Sequence, residues 1–138
     1  MAVFTKFKLV ADAIARGLLD WNSDTFKVAL TNVAPNADTN YRLSDITELS
    51  AGNGYLTGGL VVADTTLVTS AGVAALSGDD VQFVAAGGPI GPFRYAVLYD
   101  DTTTDDLLIG FWDRGSSITL SDSDRITVVF DLSILTLQ

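Results

Sequence analysis

The chain contains no cysteine and no histidine. Without cysteine there are no disulfides, no thiolate metal ligands and no thiol nucleophile. Without histidine the side chain whose ordinary pKa suits proton transfer near neutrality is missing, and so is the commonest metal ligand. Most familiar hydrolase and zinc chemistries go with them. Basic residues are scarce: 8 Lys and Arg face 17 Asp and Glu, for a formal net charge of −9. Such a chain repels polyanions, which argues against nucleic acid as a primary partner and against an anionic membrane surface. Long apolar runs are lacking too. The stretch 7–19 is interrupted by Lys8, Asp12 and Arg16, and the run from Leu107 to Trp112 falls far short of a spanning helix. Neither has the form of a signal peptide. The expected setting is the cytoplasm, or a larger particle that carries the chain outside.

What is present is mostly apolar. Hydrophobic residues make up 48% and charged residues 18% of 138 residues. That excludes intrinsic disorder, and the length suits one domain, 1–138, with a real core. Phe4, Phe7, Ala11, Ile14 and Leu18 recur at helical spacing, which predicts an amphipathic helix within residues 1–20. Thr5 is placed to cap its start, and Gly17 to end it in the left-handed conformation. A helix this short must dock, on its own sheet or on a neighbouring subunit.

After Trp21 the period changes to two. Phe26, Val28 and Leu30 alternate with Lys27, Ala29 and Thr31, the pattern of a half-buried strand. Residues 34–59 are rich in Asn and Gly and read as an irregular segment, with a helical turn near Ser44. From Leu60 onward the pattern is β throughout. Strands are predicted over Leu60–Val68, Val73–Leu76 and Val81–Val84, then after a loop at 87–92, over Phe93–Tyr99 and Leu107–Trp112. A turn at Gly115-Ser116 and a short strand Ile118–Leu120 follow, then a strand carrying Ile126, Val128, Phe130 and Leu132. Polar turns separate them. The fold class is mainly β: an antiparallel β-sandwich or small barrel, jelly-roll-like, with one N-terminal amphipathic α-helix.

The carboxylates cluster in turns: Asp79-Asp80, the loop from Asp100 to Asp106, and Asp122 with Asp124. Oxygen-rich turns can hold calcium, but the EF-hand pattern is absent, and solvated turn aspartates are the plainer reading. Aspartates on exposed turns have nothing to raise their pKa toward acid–base work, and the one glutamate, Glu48, lies in a polar segment. Ser116-Ser117 and Thr102–Thr104 offer hydroxyls with no histidine to activate them. The glycine pairs match no phosphate loop. Phe93, Tyr95, Tyr99, Phe111 and Trp112 concentrate in one hairpin, with core, protein-interface and sugar-stacking readings open. Aromatics and arginine are favoured interface anchors. The candidate contact residues are therefore Arg94, Trp112 and Arg114, joined by Phe4 and Phe7 of the N-terminal segment.

Several stretches resemble a family of small tailed-bacteriophage virion structural proteins. They are Thr25–Pro35, Asp45–Tyr55 with Gly58-Gly59, Gly91–Asp100, Leu108–Asp113 and Gly115–Ile118. The resemblance covers most of the chain through structural patterns. It implies a non-enzymatic capsid cement or decoration protein that binds the major capsid protein and its own copies, as homodimer or homotrimer. The setting would be the virion, assembled in the host cytoplasm. The alternatives are a tail, collar or fibre component, or a glycan- or receptor-binding sandwich module. No catalytic residue, cofactor or metal is implied. Charge is polarised: residues 1–30 hold four basic and three acidic groups, and residues 95–138 hold two and eight. The N-terminal segment is expected to face the shell or a sister subunit, with the acidic loops toward solvent.

Overall fold

The computed structural model describes residues 3–130 and 135–137. Its centre is a long hairpin. Strand β7 (Ile90–Asp100) returns through a six-residue loop, 101–106, into β8 (Leu107–Leu120). Both strands are dense in aromatic and branched residues, which suit a pleated surface packed on both sides. Strand β2 (Phe26–Thr31) pairs with β7, β3 (Leu60–Val61) with β2, and β1 (Val3–Lys6) with β8. The resulting antiparallel sheet has the order β1-β8-β7-β2-β3. A second antiparallel sheet, β10-β5-β4, holds β4 (Thr66–Ser70), β5 (Val73–Ser77) and β10 (Leu135–Leu137). A third pairs β6 (Val81–Val84) with β9 (Arg125–Val128). None of the three closes on itself. The expected extension of the last strand to Leu132 lies outside the described residues.

The N-terminus departs from its periodicity. Phe4 sits in strand β1 opposite Trp112, and helix α1 spans only Val10–Ala15. Nucleating a short helix is costly, whereas pairing with β8 satisfies the backbone and seats the Phe4 ring across Gly110. Any Cβ at position 110 would overlap that ring. Thr5 is a strand residue; Leu9 occupies the N-cap with no side-chain bond. Gly17 ends the helix as expected, at φ 72°. Its N–H donates to Ile14 O and that of Leu18 to Ala13 O, each at 3.0 Å, the two bonds of a Schellman cap.

Two apolar clusters lie on opposite faces of the five-stranded sheet. The larger joins Phe26, Val28, Leu30, Ala96, Leu98, Ile109 and Trp112 to residues of α1, β5, β6 and β9. The smaller gathers Phe7, Ala29, Tyr95, Val97, Tyr99, Leu108 and Phe111 beneath Ala37, Leu43 and Ile46. This second cluster corrects the half-buried reading of β2: Ala29 and Thr31 are buried as well, because the irregular segment covers them. That segment holds its shape through side-chain turns. Asn36 Oδ1 accepts from the N–H groups of Asp38 and Thr39, and Asp45 Oδ2 from those of Tyr41 and Arg42. A 3₁₀ turn, Leu43–Asp45, lies one residue ahead of its expected start.

Three strand boundaries differ from the pattern. The apolar run 60–68 splits, since residues 62–65 leave the ladder between β3 and β4. Strand β7 begins at Ile90, inside the expected loop. Gly115-Ser116 is no turn; β8 runs through it to Leu120, absorbing Gly115 at φ 96°. Register shifts between Ile90 and Phe93 and between Phe93 and Tyr95 move Phe93 into the cluster of Ala96 and Leu98, away from Tyr95. A bulge inserts a residue and so reverses the facing of what precedes it.

Candidate functional site

The five expected interface residues divide sharply by accessibility. Phe7 is 0% and Trp112 6% exposed. Phe7 packs on Phe111 at 5.2 Å, and Trp112 lies between Phe4 at 4.9 Å and Phe130 at 5.1 Å. These rings are core and have no surface to offer. Phe4 is half-buried against the same Trp112. The N-terminal segment thus docks on its own sheet, which corrects the expectation that its apolar face meets a shell or a sister subunit.

Arg94 grips Asp113 with two bonds, Nε to Oδ1 at 2.7 Å and Nη2 to Oδ2 at 3.1 Å, and lies 5.2 Å from the Tyr95 ring centre. The guanidinium holds the Asp113 carboxyl below the usual carboxylate range, aided by the Gly115 N–H. Arg94 therefore ties the bulged part of the hairpin together. Arg114 is exposed and reaches the carbonyl and hydroxyl of Ser116. Of the five, Arg114 alone presents its charge without an acidic partner among the described residues. The aromatic hairpin supplies no sugar platform: Phe93, Tyr95, Tyr99, Phe111 and Trp112 are all buried.

The ionisable groups need a second correction. Glu48 is half-buried beside Tyr55. It accepts from Tyr55 Oη at 2.6 Å and from the Gly58 N–H at 2.5 Å. Tyr55 Oη in turn accepts the Leu30 N–H at 3.0 Å, and Tyr99 Oη donates to Gly58 O at 2.6 Å. Burial pushes both tyrosines above their ordinary pKa, and Glu48 adds to each shift. This network staples the irregular segment to β2 and β7. Asp100 is fully buried rather than a solvated turn residue. Its Oδ1 accepts the Thr102 N–H at 2.9 Å, while no donor reaches Oδ2. Burial, reinforced by the nearby Asp24 carboxyl, pushes its pKa up to about 8. Burial and the neighbouring Asp24 carboxyl both favour the neutral form of Asp100.

Three other turn aspartates bond backbone N–H groups, Asp124 within its own loop and the other two across to distant segments. Asp122 accepts the Gly87 N–H, Asp124 that of Ser121, and Asp80 that of Phe130. No group of three or more acidic residues among the described residues is arranged to hold a metal. An open cleft of about 490 Å³ lies between the irregular segment and the 101–106 loop, lined by Arg42, Leu43, Ile46, Glu48 and Asp105. Arg42 there pairs with Asp105 at 3.7 Å.

The most distinctive surface lies elsewhere. Residues 49–78 carry a single charge, Asp64. Among the described residues they also supply four of the nine large exposed apolar side chains: Leu56, Val61, Leu67 and Val68. Every residue of β4 is exposed. The sequence signal for this surface is the charge gap itself; its apolar residues read as core because their periodicity resembles that of buried strands. Among the described residues no helix is long and apolar enough to cross a membrane. Comparison with protein-family models, curated proteins and solved structures finds no match.

Proposed function

We propose that the chain is a non-enzymatic virion structural protein of the capsid cement or decoration type, binding the major capsid protein of a shell and its own copies. The observation that carries this reading is the distribution of side chains between interior and surface. Glu48, Asp80 and Asp122 bond backbone N–H groups of this same chain, while leucines and valines of a stretch with a single charge stand in solvent. Exposed apolar area of this kind is the hallmark of an interaction surface. On a symmetric shell, weak contacts repeated in many copies add up to stable attachment. The resemblance to small phage virion proteins points the same way, since Gly91–Asp100 and Leu108–Asp113 form the central hairpin on which both clusters are built. We read the architecture as a sandwich, with the two smaller sheets forming a second layer across the larger cluster.

The decisive experiment compares shells assembled with and without the chain. Decorated shells should rupture at higher temperature and higher osmotic stress, and adding back purified chain should restore the difference. Shells that neither bind the chain nor gain resistance would rule the reading out. The alternative of a glycan-binding module loses its support with the burial of the aromatic hairpin.

A further inference from the structure

Strand β4 is bonded to β5 on one side and to nothing among the described residues on the other. Proteins usually blunt such an edge with charge, proline, a bulge or brevity. The other edges follow that rule: β1 carries Lys6, β9 carries Arg125, and β3 and β10 have only two and three residues. Beside β6 runs the 53–54 loop, where Ala86 N–H donates to Asn53 O. Strand β4 reads Thr-Leu-Val-Thr-Ser and has none of these protections. We infer that this edge is the chain's self-association surface, pairing antiparallel with β4 of a second copy about a two-fold axis through Val68. The inference deepens the proposed function by locating the self-contact that it requires.

The register supports that axis. The hairpin turns through Ala71 and Gly72, at φ 51° and 79°, with Ser70 opposite Val73. A two-residue turn directs the backbone groups of Ser70 toward β5, and alternation then directs those of Val68 and Thr66 the same way. Those of Leu67 and Thr69 therefore point out of the sheet. A two-fold axis through Val68 sets Leu67 against Thr69 of the second copy, and Thr69 against its Leu67. Both become hydrogen-bonded pairs, so all outward groups in the middle of the strand are satisfied at once. Val68 meets its own counterpart in a non-bonded pair.

Charge argues for a second copy as the occupant. Two chains of net charge −9 repel over most of their surface, and the stretch from 65 to 78, which forms this hairpin, contains no charged residue. It is where like-charged copies approach at least cost. Leu67 is 38% and Val68 50% exposed, and they lie on opposite faces of the strand, so pairing shields apolar area on both sides.

The test uses the full chain alone, by sedimentation at micromolar to sub-millimolar concentration. The wild type should be a dimer. Val68→Lys and Thr69→Pro should both be monomers with unchanged circular dichroism, since both positions are exposed and the Thr69 N–H makes no bond to β5. In this cysteine-free chain Val68→Cys should oxidise to a covalent dimer, as the short spacing of a non-bonded pair allows. Val33→Cys, exposed elsewhere, should not. A monomeric wild type, or a dimer that survives both β4 substitutions, overturns the inference. So does a dimer lost to Val68→Lys but kept by Thr69→Pro, because it would rest on side-chain contact without strand pairing. A monomeric chain that still protects shells would leave decoration standing, whereas a dimer that ignores shells would do the reverse.

Discussion

The two hairpins of this protein begin from similar residues and meet opposite fates. β7–β8 and β4–β5 are both antiparallel and both rich in branched side chains. The first is flanked on both edges by β2 and β1, and its two faces line two separate clusters. The second has an edge left unpaired among the described residues, and its outer strand is exposed at every position. Local chemistry makes a hairpin in each case. Which hairpin becomes core depends on what the rest of the chain places over it: α1 and the small sheets on one face of the first, Phe7 and the irregular segment on the other. The outer strand of the second hairpin is left with its apolar side chains in solvent.

This contrast predicts a steep difference in mutational cost. Ile109→Ala, at a fully buried site of β8, should destabilise the chain by about 4 kcal/mol through lost burial and a residual cavity. Leu67→Ala in β4 should change the stability of the dilute monomer by less than about 0.5 kcal/mol. Chemical denaturation of both variants checks the pair; equal costs would erase the distinction between the hairpins.

The next test concerns what holds the irregular segment over the central sheet. Tyr55→Phe removes the donor to Glu48 and the acceptor for the buried Leu30 N–H. A loss of about 2 kcal/mol is expected, because buried groups are left unpaired. A near-neutral result would show the segment held by packing alone.

A third test reads the proton on Asp100. Its pKa is raised by burial and by Asp24, from 3.8 to about 8. The folded state therefore binds a proton that the unfolded state releases above pH 4. The stability contributed by that proton is full below about pH 4, declines as pH rises toward 8 and is gone above it. Asp113, whose pKa is lowered, acts in the opposite sense: its contribution is present above about pH 4 and lost on further acidification. The windows do not overlap. Asp100→Asn, which needs no proton, should remove the decline between pH 4 and 8 and melt higher than wild type at pH 9, by about 2 kcal/mol of stability. Parallel melting curves for the two proteins across that range would contradict the assignment.

The smallest effect is expected at Arg94. Its pair with Asp113 is solvent-facing, so Arg94→Ala should shift the melting temperature by no more than about 2 °C, and by less in high salt.

Much of the scaffold was legible from period and punctuation. The alternation of Tyr95, Val97 and Tyr99 places all three in one cluster, and Gly17 ends its helix as its position suggests. Phe93 escaped because a bulge changes facing without leaving a mark on the alternation. Phe4 escaped because its spacing to Phe7 suits a helix, while its true partner, Trp112, lies far along the chain. Asp100 looked like its exposed neighbours because burial at the base of a loop is a property of the packing around it. The same reasoning applies to the candidate surface. Leu67 and Val68 have core composition, and only the assembled fold shows that nothing among the described residues covers them.

Action by repeated contact on a symmetric particle, the role proposed for this chain, is tested by counting its copies in purified virions with quantitative mass spectrometry. On the order of hundreds of copies per particle are expected, as multivalent shell binding requires. A dozen or fewer would place it at a collar, tail or fibre, and absence from the particle would contradict the claim outright.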